Sequence, residues 1–165
     1  MDSTALSAEE LILWNDATAR MWHTFLSANP AALAVACDIY KAKTVGELLQ
    51  HIVAVELRYA ERLAGLPVSE YASVPFGTAD EILATHEKAI AIFRGVLTDS
   101  AYDWTEKMEF PTLSAGSCRS SRRSVFFHAM LHGVRHYAQL STLVRQAGFS
   151  GNLGGDYLLM DLEKV

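Results

Sequence analysis

Cysteine is scarce in this chain, with two residues, Cys37 and Cys118, among 165. Two thiols make neither a disulfide framework nor a four-cysteine zinc site. Basic residues are also in deficit. Fourteen Lys and Arg stand against nineteen Asp and Glu, giving −5 with six histidines counted as neutral. Long-range attraction to phosphate is therefore absent, and nucleic acid is not an expected partner. No apolar run reaches the length of about 18 residues that a membrane span needs. The opening MDSTALSAEE is acidic and has no basic-then-apolar signal pattern, so a cytoplasmic location is expected. There is no repeat and no β-rich stretch. Half the residues are apolar and 20% are charged, which argues against disorder. The length suits one domain, residues 1–165, burying roughly 68–70% of the surface its unfolded chain exposes.

Four segments carry helical periodicity. Three open with a Ser or Thr followed three residues later by Glu, the signature of a capping box. Ser7 and Glu10 open a helix over Ala8–Ala28, which the Asn29-Pro30 pair stops. Thr44 and Glu47 open a second over Val45–Ala64, with Gly65 placed to end it. Thr78 and Glu81 open a third over Ala79–Leu97, and a fourth runs over Ser121–Ala147 up to Gly148. The expected fold class is all-α, a four-helix bundle with a long connection, Thr98–Ser120, between helices three and four. That connection carries Tyr102, Trp104 and Phe110 and a small-residue stretch, Ser114–Ser117. It is allowed one short extended piece near Trp104–Phe110, and its length suits a crossover. The tail, residues 151–165, suits a short helix or an apolar strap through Tyr157–Met160.

The histidines are placed informatively. His132 and His136 stand four apart on helix four, so both imidazoles leave one helix face a turn apart. On a wheel of about 100° per residue with Val125 at zero, they fall at about 340° and 20°, on the stripe of Val125, Ala129, Leu140 and Leu143. Gly133 follows His132 where a zincin helix has its catalytic glutamate, which removes the metalloprotease reading. Two imidazoles facing a core cost free energy unless hydrogen-bonded or ligated. On helix two, His51 borders the stripe of Leu48, Ile52, Val55 and Tyr59 and can point inward from its edge. Three imidazoles with open water positions make the inventory of a catalytic-type metal site. The competing reading is three hydrogen-bonded core histidines, since HxxxH alone is short and recurs in helices. Imidazole suits zinc, nickel, copper or iron. His128 falls at the polar margin of helix four, and His23 and His86 are expected as solvent-edge or packing residues.

The segments LLQHIVAVELRYAERLAG (48–65) and HAMLHGVRHYAQLSTLVRQAG (128–148) together resemble the DinB/YfiT-like superfamily of four-helix-bundle metalloproteins. A histidine early in helix two, an HxxxH pair in the last helix, and a Gln-aliphatic step before a leucine- and arginine-rich ending carry the likeness. Helix one, with Trp14-Asn15 and Arg20-Met21, fits only loosely. The resemblance implies His51, His132 and His136 as metal ligands, with zinc or nickel the first candidates, and gives His128 no ligand role. Leu131 and the Tyr137-Ala138 step depart from the common pattern around the pair.

Characterised members include transferases and isomerases that use a low-molecular-weight thiol, such as bacillithiol or mycothiol, held on the metal as thiolate. The resemblance thus implies a metal-dependent enzyme joining a thiol to a small electrophilic substrate that enters beside the Thr98–Ser120 connection. Neither cysteine of the chain is needed for this. A non-catalytic metal- or ligand-binding stress-response protein is the alternative. Arg119, Arg122 and Arg123 either orient a carboxylate or pair with Asp103, Glu106 and Glu109, and the second is the simpler expectation. Glu56 lies inside the apolar stripe of helix two, where an arginine or a backbone N–H would satisfy it. Helix four also carries a second apolar strip, Phe127, Leu131, Val134 and Ala138, which calls for a homodimer partner or the tail as its cover.

Overall fold

The structure is a computed structural model and describes residues 5–112, 116–151 and 153–163. Four long helices dominate it: α1 (Ala8–Ala28), α2 (Val45–Leu63), α3 (Ala79–Leu97) and α4 (Arg122–Gln146). The boundaries follow the punctuation. Full capping boxes form at Ser7/Glu10 and Thr78/Glu81. At α2 the Thr44 hydroxyl accepts from Glu47 N–H, but the Glu47 carboxylate accepts from Lys43 N–H at 2.7 Å, one residue upstream. Gly65 and Gly148 have φ of +67° and +87°. The residue after each bonds back to the third-last carbonyl of its helix, Leu66 to Glu61 and Phe149 to Val144, forming two Schellman caps.

The all-α expectation needs one correction. The α3–α4 connection folds as an antiparallel hairpin, β1 (Lys107–Thr112) and β2 (Gly116–Ser121), with Phe110 opposite Cys118. The extended piece therefore begins after Trp104 and has a partner strand. GSCRSS carries no alternating apolar pattern, so only the pairing reveals it as a strand. Of the small-residue stretch, Ser114 and Ala115 lie outside the described residues. Pro111 sits in this two-stranded ribbon, where a missing N–H is tolerated. Phe110 is buried and packs edge-on against Tyr59, pinning the hairpin to α2.

The crossover lies elsewhere than expected. The core divides into two apolar clusters at opposite ends of the bundle. Helices α1 and α4 begin in the Leu11–Phe93–Phe126 cluster and end in the Trp22–Leu48–Leu140 cluster, whereas α2 and α3 run the other way. The direction is up, down, down, up. Residues 64–78 therefore return along the whole bundle between the parallel helices α2 and α3, seating Val74 in the core on the way. The α3–α4 connection joins neighbouring ends of helices that sit diagonally. The tail crosses the α1–α4 groove. Gly155 accepts from the Trp14 indole at 2.7 Å and Leu153 from the Ser141 hydroxyl at 3.1 Å, beside Val134 and Ala138. Leu131 stays 51% exposed.

Candidate metal centre

Because α2 and α4 are antiparallel neighbours, His51 faces His132 and His136 directly. All three are buried, and one nitrogen from each lies within 4.8 Å of the others. His51 Nε2 and His132 Nε2 approach to 3.0 Å. Arg135 Nη2 lies 3.1 Å from His136 Nε2. A guanidinium only donates, so this nitrogen accepts and the ring proton sits on Nδ1. That N–H then donates to Gln139 Oε1 at 2.7 Å. Gln139 thus fixes the tautomer that leaves His136 Nε2 unprotonated, as a metal ligand must be. Tyr71 Oη lies 3.4 Å from His51 Nδ1, and the Tyr40 ring stacks on His51 with centroids 5.1 Å apart.

The electrostatics keep the rings neutral. Burial, with repulsion from His136 and Arg135, pushes His51 down to about 4. Burial and the neighbouring histidines push His132 down to about 2. Burial lowers His136 as well, against the opposing bond to Gln139. Neutral imidazoles are the form that ligates metal. Two facing Nε2 atoms can share only one proton, and His132 Nδ1 is buried without a hydrogen-bond partner among the described residues. The 3.0 Å separation is close to the spacing of about 3.3 Å between nitrogens that each stand about 2.0–2.1 Å from a tetrahedral zinc. The donor set and its spacing fit a divalent transition metal, which this buried group could hold.

A cavity of about 380 Å³ opens beside His51 and His132, walled by Val55, Tyr59 and Pro111. His128 lines it too, its ring edge-on to Tyr59. The aromatics of the long connection do not line it among the described residues. Tyr102 Oη donates to Leu63 O at 2.6 Å and meets Trp104 edge-on, which in turn meets Phe126, so they seal the connection to the bundle. Arg119 and Arg122 pair with Glu109 and Glu106, at 3.8 and 2.6 Å, and Arg123 lies over the Phe127 ring. The simpler expectation for that cluster holds for two of its three members. Different arginines reach the cavity: Arg58, Arg62 and Arg135. Periodicity could not single them out, because the two helices had first to be placed side by side. Gln139 was in reach, being three residues beyond a ligand candidate on the same helix.

Behind the histidines, midway along the bundle, a polar layer separates the two apolar clusters. His86 of α3 is fully buried, not a solvent-edge or simple packing residue. Its Nδ1 lies 2.8 Å from the Glu56 carboxylate and its Nε2 3.4 Å from Asp16. The partner of Glu56 is therefore a histidine, not an arginine or a backbone N–H. Burial opposes charge on His86, but Glu56 and Asp16 outweigh it and raise the imidazole to about 9. The neighbouring His86, then Arg20, hold Asp16 down to about 2 against burial. Gly133 lets α4 close on this layer. A Cβ there would stand 2.9 Å from Asn15 Oδ1 and 3.3 Å from Glu56 Oε1. His23, by contrast, sits at the surface 2.6 Å from Asp80.

Comparison with known proteins agrees with this fold. The fold is similar to the crystal structure of a DinB-like protein from Bacillus cereus ATCC 10987, at 21% identity and a TM-score of 0.57 over 81% of this chain and 87% of that one. No curated protein matches. The sequence profile of the DinB family matches residues 1–159, and with nearly its whole length so accounted for, the chain belongs to the DinB family.

Proposed function

We propose that His51, His132 and His136 bind a divalent transition metal, zinc or nickel, and that the protein is a metal-dependent enzyme acting on a small molecule in the adjoining cavity. The observation that carries this reading is the convergence of three buried, neutral imidazoles beside a cavity of small-molecule size. A metal held there would supply a dication that lowers the pKa of a bound thiol or water. The chain's own groups do the rest. Gln139 orients the His136 ring, Tyr71 reaches His51 Nδ1, and Val55, Tyr59 and Pro111 give an organic ligand apolar contact. The finer reading, suggested by characterised members of the wider superfamily, is transfer of a low-molecular-weight thiol to a small electrophile. Among the described residues no carboxylate lines the cavity to serve as general base, and this favours the second reading, a non-catalytic metal- or ligand-binding protein. Exposed Leu13, Leu131, Leu158, Leu159 and Leu162 support a homodimer, which light scattering at micromolar concentration would show.

The test is elemental analysis of gently purified wild type and His132→Ala. About one equivalent of metal in the first and none in the second is expected, with thiol transfer lost together with the metal. A His132→Ala variant that transfers thiol at the wild-type rate would remove the metal from catalysis. Metal bound without any thiol-dependent turnover would select the binding role.

A further inference from the structure

Among the described residues the arginines of the cavity form no ion pair. In a chain with more acids than bases, Arg58, Arg62 and Arg135 all reach one cavity that no Asp or Glu lines among the described residues. Among the described residues the arginines in ion pairs are Arg20, Arg94, Arg119 and Arg122, and none of these three. Arg58 and Arg62 are neighbours one turn apart on α2. Each gives one N–H to a backbone carbonyl, Arg58 to Ser69 and Arg62 to Arg58 at 3.3 Å, out of five donors per guanidinium. Arg62 is further fixed over the Tyr59 and Phe110 rings, at 5.5 and 5.9 Å. Arg58 repels Arg62 more than Glu61 offsets it, and an anionic ligand relieves that repulsion. Val55, Tyr59 and Pro111 add apolar wall beside the arginines. Inorganic anions use no such wall, whereas the carbon chain of an organic anion does.

Arg135 is the special member. It donates to His136 Nε2, and that lone pair is the one the metal reading requires. A metal and a guanidinium cannot share it. A metal held by that lone pair would displace Arg135, whose guanidinium already borders the cavity.

We propose that the cavity binds a small organic dianion, with carboxylate-type groups held by Arg58 and Arg62 on one side and by Arg135 on the other. Arg135 is a positioning residue that becomes available when metal takes the His136 nitrogen, so metal and dianion bind with positive coupling. The coupling rests on the metal reading above, whereas anion binding by Arg58 and Arg62 does not. The experiment is titration calorimetry on chelator-treated and zinc-loaded full-length protein, with succinate, neutral succinamide and inorganic phosphate as probes. Succinate is expected to bind both forms, succinamide neither, and phosphate at least tenfold more weakly than succinate. Arg58→Gln/Arg62→Gln should weaken succinate at least tenfold in both forms, with an unchanged thermal transition showing that the fold persists. Zinc should tighten succinate several-fold in wild type and markedly less in Arg135→Gln, which should itself bind zinc more tightly. Equal binding of succinate and succinamide, or of succinate and phosphate, would overturn the organic dianion. Zinc uptake with no change in succinate affinity, or undiminished tightening in Arg135→Gln, would overturn the role of Arg135. Failure to take up zinc at all would overturn the coupling and the metal reading, while succinate binding to the chelator-treated protein would still uphold the arginine site.

Discussion

His86→Leu should lower stability at pH 7 by about 3–5 kcal/mol, because it leaves the Glu56 carboxylate fully buried without its partner. The loss is large against the 5–15 kcal/mol typical of a folded domain, yet most of the fold should survive it. The double variant His86→Leu/Glu56→Leu removes both buried charges and should recover most of the difference, since apolar groups of similar volume replace the pair. A pH signature separates this ion pair from ordinary packing. In the fold His86 is raised from 6.5 to about 9. The folded state therefore binds a proton that the unfolded chain has released between those values. Its contribution is fully present below pH 6.5 and is lost as pH rises through 9. At roughly 1.4 kcal/mol per pH unit the raised pKa amounts to about 3 kcal/mol. The charged groups facing the ring are Glu56 from α2 and Asp16 from α1, and from α4 Gly133 and the buried Tyr137 lie on the far side of Glu56. Urea titrations followed by tryptophan fluorescence from pH 6 to 9.5 should show wild type losing about 3 kcal/mol relative to the double variant. Parallel pH profiles for the two proteins, or a single-variant loss below 1 kcal/mol at pH 7, would refute the charged layer.

Three further outcomes follow from particular contacts. Gly133→Ala places a methyl 2.9 Å from the buried Asn15 Oδ1 and should cost about 1–3 kcal/mol in urea unfolding, against near-neutrality if α4 can shift. Gln139→Leu removes the acceptor that holds the His136 proton and should weaken zinc about 10–100-fold in competition with a chromophoric chelator, with the far-ultraviolet spectrum unchanged. Gly148→Ala forces a side chain into φ of +87° at the end of α4 and should lower stability by about 1 kcal/mol by thermal or urea unfolding.

What the sequence determined by itself is what neighbouring residues determine. Helix starts at Ser7, Thr44 and Thr78 and stops at Gly65 and Gly148 follow from caps three or four residues long. The shared face of His132 and His136 follows from a 3.6-residue turn. The edge of the helix-two stripe offered His51 as their companion, and likeness to family segments implied the same trio. Tertiary structure decided everything that depends on which helices are neighbours and which way they run. Residues 64–78 form the return along the bundle, which makes α2 and α3 parallel and brings Glu56 to His86, thirty positions away. Antiparallel α2 and α4 bring Arg58 and Arg62 to the same cavity as Arg135. The strand GSCRSS exists only through its partner KMEFPT. In each case the free energy lies in contacts between segments distant in sequence, so no local pattern records it.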